Sequence, residues 1–217
     1  MSKRSPTVPA RPAPDEATLR RARLPRSFYA RPVLELAEDC LGKVLVHASP
    51  EGLVAGRIVE SEAYRGPEDL AAHSAGGRRT RRTEVMFGAA GHAYLFLLYG
   101  MHWAFNMVAG EEGEPHVVLI RAIEPLLGEA LMAARRGVSP GAVTIANGPG
   151  KLCGALGLDG SAYGLDLCGE RLWLAEGARG AVGVSPRINI DYAGEWANKA
   201  WRFYERANRH VSVAPRG

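Results

Sequence analysis

The stretch from Gly56 to His102 constrains the fold more than any other part of the chain. It opens on an alternation in which Ile58, Glu60, Glu62 and Tyr64 share one face of a regular strand. From Gly66 to Arg82 it carries few large apolar residues, which predicts a loop with at most a short helix at Pro67–Ala72. It then becomes aromatic: Ala93–Tyr99 and, just beyond, Trp103–Val108 read as strands flanking a Tyr99-Gly100-Met101 bend. A strand, a polar loop and a hairpin in that order imply an antiparallel sheet.

The flanking sequence fits the same architecture. Pro32 can open a helix whose apolar positions are Val33, Leu34, Leu36, Ala37, Cys40 and Leu41, and Gly42 can end it. Lys43–His47 and Leu53–Glu60 are strand-like and joined by a Ser-Pro-Glu-Gly turn. His116–Ala122 is a further strand and Leu126–Arg136 a helix with Arg135 and Arg136 in its last turn. Gly148–Gly157 suggests a short helix, 171–174 and 181–190 are strand-like, and Lys199–Arg206 is a last turn or strand. The expected fold class is α+β: a single domain over 24–217 with a curved antiparallel sheet and packed helices. Leu24–Tyr29 reads as an entry segment anchored by Phe28, and residues 1–23, rich in Pro, Ala and Arg, read as a disordered basic tail.

Charge is unevenly placed. Residues 32–198 carry more acids than bases although the whole chain has a formal net charge of +4, so the positive charge sits at the two ends and at Arg78, Arg79, Arg81 and Arg82. Such separation points to a polyanionic partner on one face. The three cysteines, Cys40, Cys153 and Cys168, form no closely spaced pair, which argues for neither a disulfide framework nor a zinc site. No apolar run is long enough for a transmembrane helix and no secretory signal is evident, so a soluble protein is expected: cytoplasmic and associated with the nucleoid in a bacterium, nuclear in a eukaryote.

Several residue groups can carry chemistry. Glu60 and Glu62 on one strand face would stand about 6.5–7 Å apart, either as a solvated strand end or as groups for acid–base work. His73 lies among small residues, where it can be a structural hydrogen-bonder or can face a ligand. The Arg78–Arg82 run, with Thr80 inside it and Gly76-Gly77 before it, suits phosphate oxygens. Tyr94 and Phe96 share a strand face, with sheet core the simpler reading for Tyr94, and Tyr99 falls at the protruding bend, where an aromatic beside arginines can wedge between stacked bases. Asn147-Gly148-Pro149-Gly150-Lys151 is a glycine-rich helix entry that can meet phosphate, but it lacks the spacing of a nucleotide-hydrolysing loop.

Taken in order, the blocks LGKVLV, GRIVESEAYRGPEDLAAHSAGGRRTRRTEVMFG, GHAYLFLLYGMHWAFN, VLIRAIEP, NGPGKLCGALGL, RINI and WRFY resemble the alkyladenine (3-methyladenine) DNA glycosylase family over about Pro32 to Val213. The resemblance implies a single mixed domain with a curved antiparallel sheet and a β-hairpin, here Ala93–Asn106, that enters the DNA minor groove. It implies base excision repair: alkylated or deaminated purines such as 3-methyladenine or hypoxanthine are flipped from double-stranded DNA and released by hydrolysis. By position, Glu62 matches the carboxylate that activates water and Arg121 the arginine that helps hold that water and the substrate backbone. Tyr64, His73 and Phe96 match the walls of the base pocket, and Asn106 a gate against normal guanine. Tyr99 matches the wedge that fills the gap left by the flipped nucleotide. Met86, Met101 and Lys151 match DNA-contacting positions, and Glu60 falls behind the reacting carboxylate. Phe96 stands where many relatives carry tyrosine, which removes a hydroxyl from the pocket, and the acidic loop Gly110–Pro115 is slightly longer than usual.

None of the four lysines, Lys3, Lys43, Lys151 and Lys199, lies between Gly56 and His102, so a monofunctional glycosylase without Schiff-base lyase chemistry is expected. Neither metal nor cofactor is expected, and the chain should act as a monomer. Two other readings stand beside this one. A sugar glycosidase could use Glu60 and Glu62, whose spacing is near the low end of the roughly 6.5–9.5 Å inverting range. A damaged-DNA-binding protein without catalysis would use the basic and aromatic features but would not need Glu62.

Overall fold

The computed structural model of the protein describes residues 14–213. Its longest strand, β2 (Gly52–Arg65), has the rest of the sheet laid against its two edges. β5 (His116–Leu127) runs along one edge over Ala55–Arg65. The other edge is shared: β1 (Val44–Ser49) pairs with residues 52–57, and β8 (Arg202–Glu205) with Glu60–Glu62. Outside β5 lie β4 (His102–Ala109) and then β3 (Ala93–Leu98). Outside β1 lies β6 (Leu172–Ala175), and β7 (Val182–Ser185) pairs with β8. Every pairing is antiparallel, and the sheet curls around one main core, so the expected α+β class with a curved antiparallel sheet is the one observed.

The strands bury both faces. Leu45, Val54 and Ile58 point into the main core, while Val44, Val46 and Ala55 join Trp173 in a second cluster on the opposite side. The main core is covered by three helices: α3 (Val33–Asp39), α4 (Glu129–Arg136) and α5 (Pro149–Leu156). In α3, Val33, Leu36 and Ala37, with Cys40 at its C-cap, recur at helical spacing and are all buried. Behind it Gly42 takes φ +80°, and a Cβ there would stand 2.4 Å from the backbone of Arg179, so the close approach needs glycine. α2 (Arg26–Tyr29) anchors the entry of the chain through Tyr29, which is wholly buried, more than through Phe28.

Three local expectations differ from the structure. Residues 1–13 of the expected tail lie outside the described residues, but residues 16–21 form α1 (Glu16–Arg21), capped by Asp15, whose carboxylate accepts from Thr18 N–H at 2.7 Å. One apolar residue suffices to hold it: Leu19 is buried against Trp173, and Arg20 and Arg23 stack over the same ring at 5.0 and 5.3 Å. Leu126 and Leu127 finish β5 instead of starting a helix, because Gly128, at φ +72°, turns the chain before Glu129. The loop expected after Gly66 is observed, with no helix at Pro67–Ala72, and is ordered by the buried Asp69, which accepts from Arg187 at 2.5 and 2.9 Å and from the N–H of Ala71 at 3.0 Å. Finally, only Val182–Ser185 of the expected strand 181–190 pairs, and residues 187–192 turn instead toward the cavity described below.

Candidate active site

The alternation from Ile58 to Tyr64 is interrupted where the chemistry sits. Within this stretch the register between β2 and β5 shifts twice: Ile58 faces Ile123 and Glu60 faces Ala122 with Val59 extra on β2, then Ser61 faces Ile120 with Arg121 extra on β5. A β-bulge of this kind re-aims side chains. Ile58 therefore points into the main core, Ser61 points to α3, where it donates to Ala37 O at 2.5 Å, and Glu60, Glu62 and Tyr64 turn to the other face with Arg121. The expected shared face holds for the two acids and Tyr64 but not for Ile58.

Glu62 is fully buried. It accepts from Tyr64 Oη at 2.8 Å and from the backbone N–H of Ile188 at 2.8 Å, and Arg121 Nη1 stands 3.3 Å away. Burial pushes the Tyr64 phenol well above its ordinary pKa, and the charge on Glu62 adds to the effect, so Tyr64 is a permanent donor here. Burial alone would lower the pKa of Arg121, but Glu62 and Glu60 outweigh it and hold the guanidinium charged.

Glu60 is equally buried but is bonded to no residue that lines the cavity other than Arg121. It accepts from Arg121 Nε and Arg202 Nε at 2.8 Å each, and from the N–H and hydroxyl of Ser212 at 2.6 and 2.9 Å. Burial would raise its pKa, yet Arg121, Arg202 and the Ser212 N–H outweigh that and leave it below the usual carboxylate range. A carboxylate so filled with donors has no place in an acid–base pair with Glu62, and the sugar-glycosidase reading loses its second group.

Arg121 stands at one wall of a cavity of about 340 Å³ lined also by Tyr64, His73, Phe96 and Asn106, with Tyr94 and Met86 deeper in, and Glu62 lies behind that wall, bonded to the lining residues Tyr64 and Ile188. His73 packs edge-on against Phe96 with ring centroids 4.4 Å apart and its Nδ1 lies 2.7 Å from Tyr94 Oη. Burial, and then the charges of Arg82 and Arg78, pull the His73 pKa down to about 4, so the ring is neutral near pH 7. Asn106 lies opposite Tyr94 across the β3–β4 pair and donates from Nδ2 to Tyr94 O at 3.1 Å. A larger open cleft of about 880 Å³, between residues 30–35, 65–68 and 110–116, contains none of the residues expected to carry chemistry.

The hairpin of β3 and β4 stands beside the cavity mouth. Its turn holds Tyr99 at φ +51° and Gly100 at φ +70°, closed by Met101 N–H to Leu98 O at 3.0 Å, a pattern close to a type I′ turn. A bulky aromatic at positive φ is costly, and such outliers mark functional sites. The ring is 82% exposed and lines the mouth of the cavity. The N-terminus of α5 braces the hairpin: a Cβ on Gly150 would meet His102 Cβ at 2.8 Å.

A family model for methylpurine-DNA glycosylase matches residues 27–209. The chain belongs to the methylpurine-DNA glycosylase family. It is 49% identical over 200 residues to a protein of Desulfitobacterium hafniense provisionally named a 3-methyladenine DNA glycosylase, covering 88% of this chain and 98% of the relative. It is 48% identical over 191 residues to one of the same provisional name from Methanocella arvoryzae, covering 87% and 95%. A third, from Myxococcus xanthus, is 47% identical over 195 residues, covering 88% and 94%.

Within this methylpurine-DNA glycosylase chain the remaining expected contact residues separate by exposure. Arg78, Arg81 and Arg82 are exposed and make no ion pair among the described residues, whereas Arg79 is held by Glu84 at 2.6 Å and stacks on Phe87. Met101 is 72% exposed beside Tyr99. Lys151 donates to Asn147 Oδ1 at 2.9 Å at the start of α5. Two expected DNA contacts look different in the structure. Met86 is wholly buried against Tyr94, Val108 and Val117, so it can touch only what enters the cavity. The Thr80 hydroxyl lies 3.1 Å from that of Thr83 and serves the turn. The segment Arg187–Tyr192, whose RINI block carried no expected site role, supplies the Ile188 N–H on Glu62 and lines the cavity with Asn189, Ile190 and Tyr192; Arg187 holds its path by pairing with Asp69 and donating to Ala63 O at 2.9 Å.

Proposed function

We propose that this protein is a monofunctional glycosylase of base excision repair that flips alkylated or deaminated purines out of duplex DNA and hydrolyses their N-glycosidic bond. The observation that carries this reading is the buried carboxylate of Glu62, held by Tyr64 and Ile188, two residues that line an aromatic cavity whose mouth is flanked by an exposed Tyr99. A base cannot be reached inside the stack, so extrusion comes first, at a cost of a few kcal/mol. Tyr99 wedges into the vacated space. Arg78, Arg82, Met101 and Lys151 contact the DNA around the lesion, and the charged contacts offset part of that cost.

The flipped base lies between Tyr64, Phe96 and His73. A cationic base such as 3-methyladenine is attracted to the aromatic faces, and a neutral His73 adds no opposing charge. With the Tyr94 hydroxyl donating to His73 Nδ1, we assign the hydrogen to Nε2, where it can support the departure of a neutral lesion such as hypoxanthine. Asn106 disfavours normal guanine. Glu62 takes a proton from water, the water oxygen bonds to C1′, and the bonding pair of the N-glycosidic bond leaves with the base. Arg121 holds the water and substrate backbone. Among the described residues no lysine lines the cavity, which supports hydrolysis without a Schiff base. The enzyme works as a monomer on chromosomal DNA, in the cytoplasm of a bacterium or the nucleus of a eukaryote. No helix among the described residues is long and apolar enough to cross a membrane.

The test is release of free base from duplexes carrying a methylated purine or hypoxanthine. The reading expects base release that leaves the strand intact until alkali is added. Tight binding without release would instead identify a protein that only senses damage.

A further inference from the structure

Glu60 is a heavily bonded buried carboxylate that does not line the cavity, and it shares Arg121 with Glu62. We propose that Glu60 is a positioning residue which, together with Arg202, divides Arg121 between two carboxylates and so keeps Glu62 out of a full ion pair and free to accept a proton from water. This rests on the reading of Glu62 as the group that activates water.

The geometry carries it. Arg121 gives its Nε to Glu60 at 2.8 Å and leaves Nη1 at 3.3 Å from Glu62, longer than a charge-assisted hydrogen bond. The bulge at Arg121 makes this split possible, because a regular strand would not aim the guanidinium at the junction of the two acids. Arg202 faces Glu62 in the β2–β8 register, yet its Nε goes to Glu60 at 2.8 Å. Ser212 closes the cluster with two bonds to Glu60, and Arg202 reaches on to Val213 O at 2.5 Å. The buried group is thus two carboxylates and two guanidiniums, balanced in charge. The other charged or titratable groups facing Glu62 are Tyr64 on its own strand and Arg187 and Tyr192 on the segment opposite, with Arg187 neutralised by Asp69.

Charge removal on either side of Glu60 therefore acts in opposite directions. Glu60→Gln takes away a negative charge and releases Arg121 toward Glu62. The single-turnover rate at neutral pH should fall about tenfold and the acid limb of its pH profile move down by about one unit, the scale of one nearby charge. Arg202→Gln leaves an excess negative charge beside Glu62 and should move the limb upward. Arg202→Lys keeps the charge and should leave the limb in place.

The experiment is the pH profile of base release by the full chain carrying each substitution, with Glu62→Gln measured alongside and folding followed by thermal melts. Opposed limb shifts in Glu60→Gln and Arg202→Gln support the proposal. Profiles that are only scaled down, with the wild-type limb, overturn it while Glu62→Gln remains inactive. If Glu60→Gln does not fold, the upward shift in Arg202→Gln against Arg202→Lys decides alone. Should Glu62→Gln retain release, the reading of Glu62 falls first and this inference with it.

Discussion

Tyr64 donates its hydroxyl to Glu62 Oε2 at 2.8 Å from two residues further along the same strand face. One ring thus walls the cavity and fixes the carboxylate behind it. Tyr64→Phe keeps the wall and removes the donor. A hydrogen bond to a charged group contributes about 1.5–3 kcal/mol, so single-turnover base release should slow by about ten- to a hundredfold while affinity for lesion DNA stays near wild type.

Tyr99 makes no packing contact that the fold needs, being 82% exposed at a hairpin turn. Tyr99→Ser should leave the melting temperature unchanged and weaken binding to lesion-containing duplex, with slower extrusion reported by a fluorescent base beside the lesion. Unaltered extrusion and binding would remove the wedge from the account.

Arg78 and Arg82 are exposed and free of ion pairs among the described residues, whereas Arg79 is committed to Glu84. Replacing either Arg78 or Arg82 with Ala should reduce the slope of log affinity against log salt by about one. Arg79→Ala should change it less. Binding isotherms between low and physiological salt measure the difference.

His73 predicts a pH dependence of stability. Its pKa falls from an ordinary 6.5 to about 4 in the folded protein. Above the ordinary value the ring is neutral whether the chain is folded or not, and it contributes no pH dependence. As pH falls from there toward 4 the unfolded chain binds a proton that the folded one does not, so stability drops, by roughly 3 kcal/mol at the lower end. Denaturant unfolding of the wild type and of His73→Phe between pH 7 and 4 should show this part of the acid destabilisation only in the wild type.

Much of this architecture is written in local patterns, because strands, turns and capping residues answer to their neighbours in sequence. The β1–β2 hairpin, the Tyr99 turn and the helix after Pro32 were legible for that reason. What local pattern cannot carry is register. The double bulge that turns Ile58 away from Glu60 and aims Arg121 between two acids depends on how β2 and β5 align across the sheet. Spacing alone could not separate the roles of Glu60 and Glu62; the difference lies in partners from β8 and from Ser212, both far along the chain. The contribution of residues 187–192 was hidden for the same reason: Ile188 acts through its backbone N–H, which leaves no trace in residue type. Helix α1 was missed because a single leucine against a tryptophan holds it.

The central claim is that Glu62 activates water on a base held in the cavity. It is tested most directly by single-turnover release of a methylated purine or hypoxanthine from duplex DNA by the wild type and by Glu62→Gln, with lesion binding measured on the same samples. Release abolished in Glu62→Gln with binding retained is the expected result. Release by Glu62→Gln at the wild-type rate would contradict it.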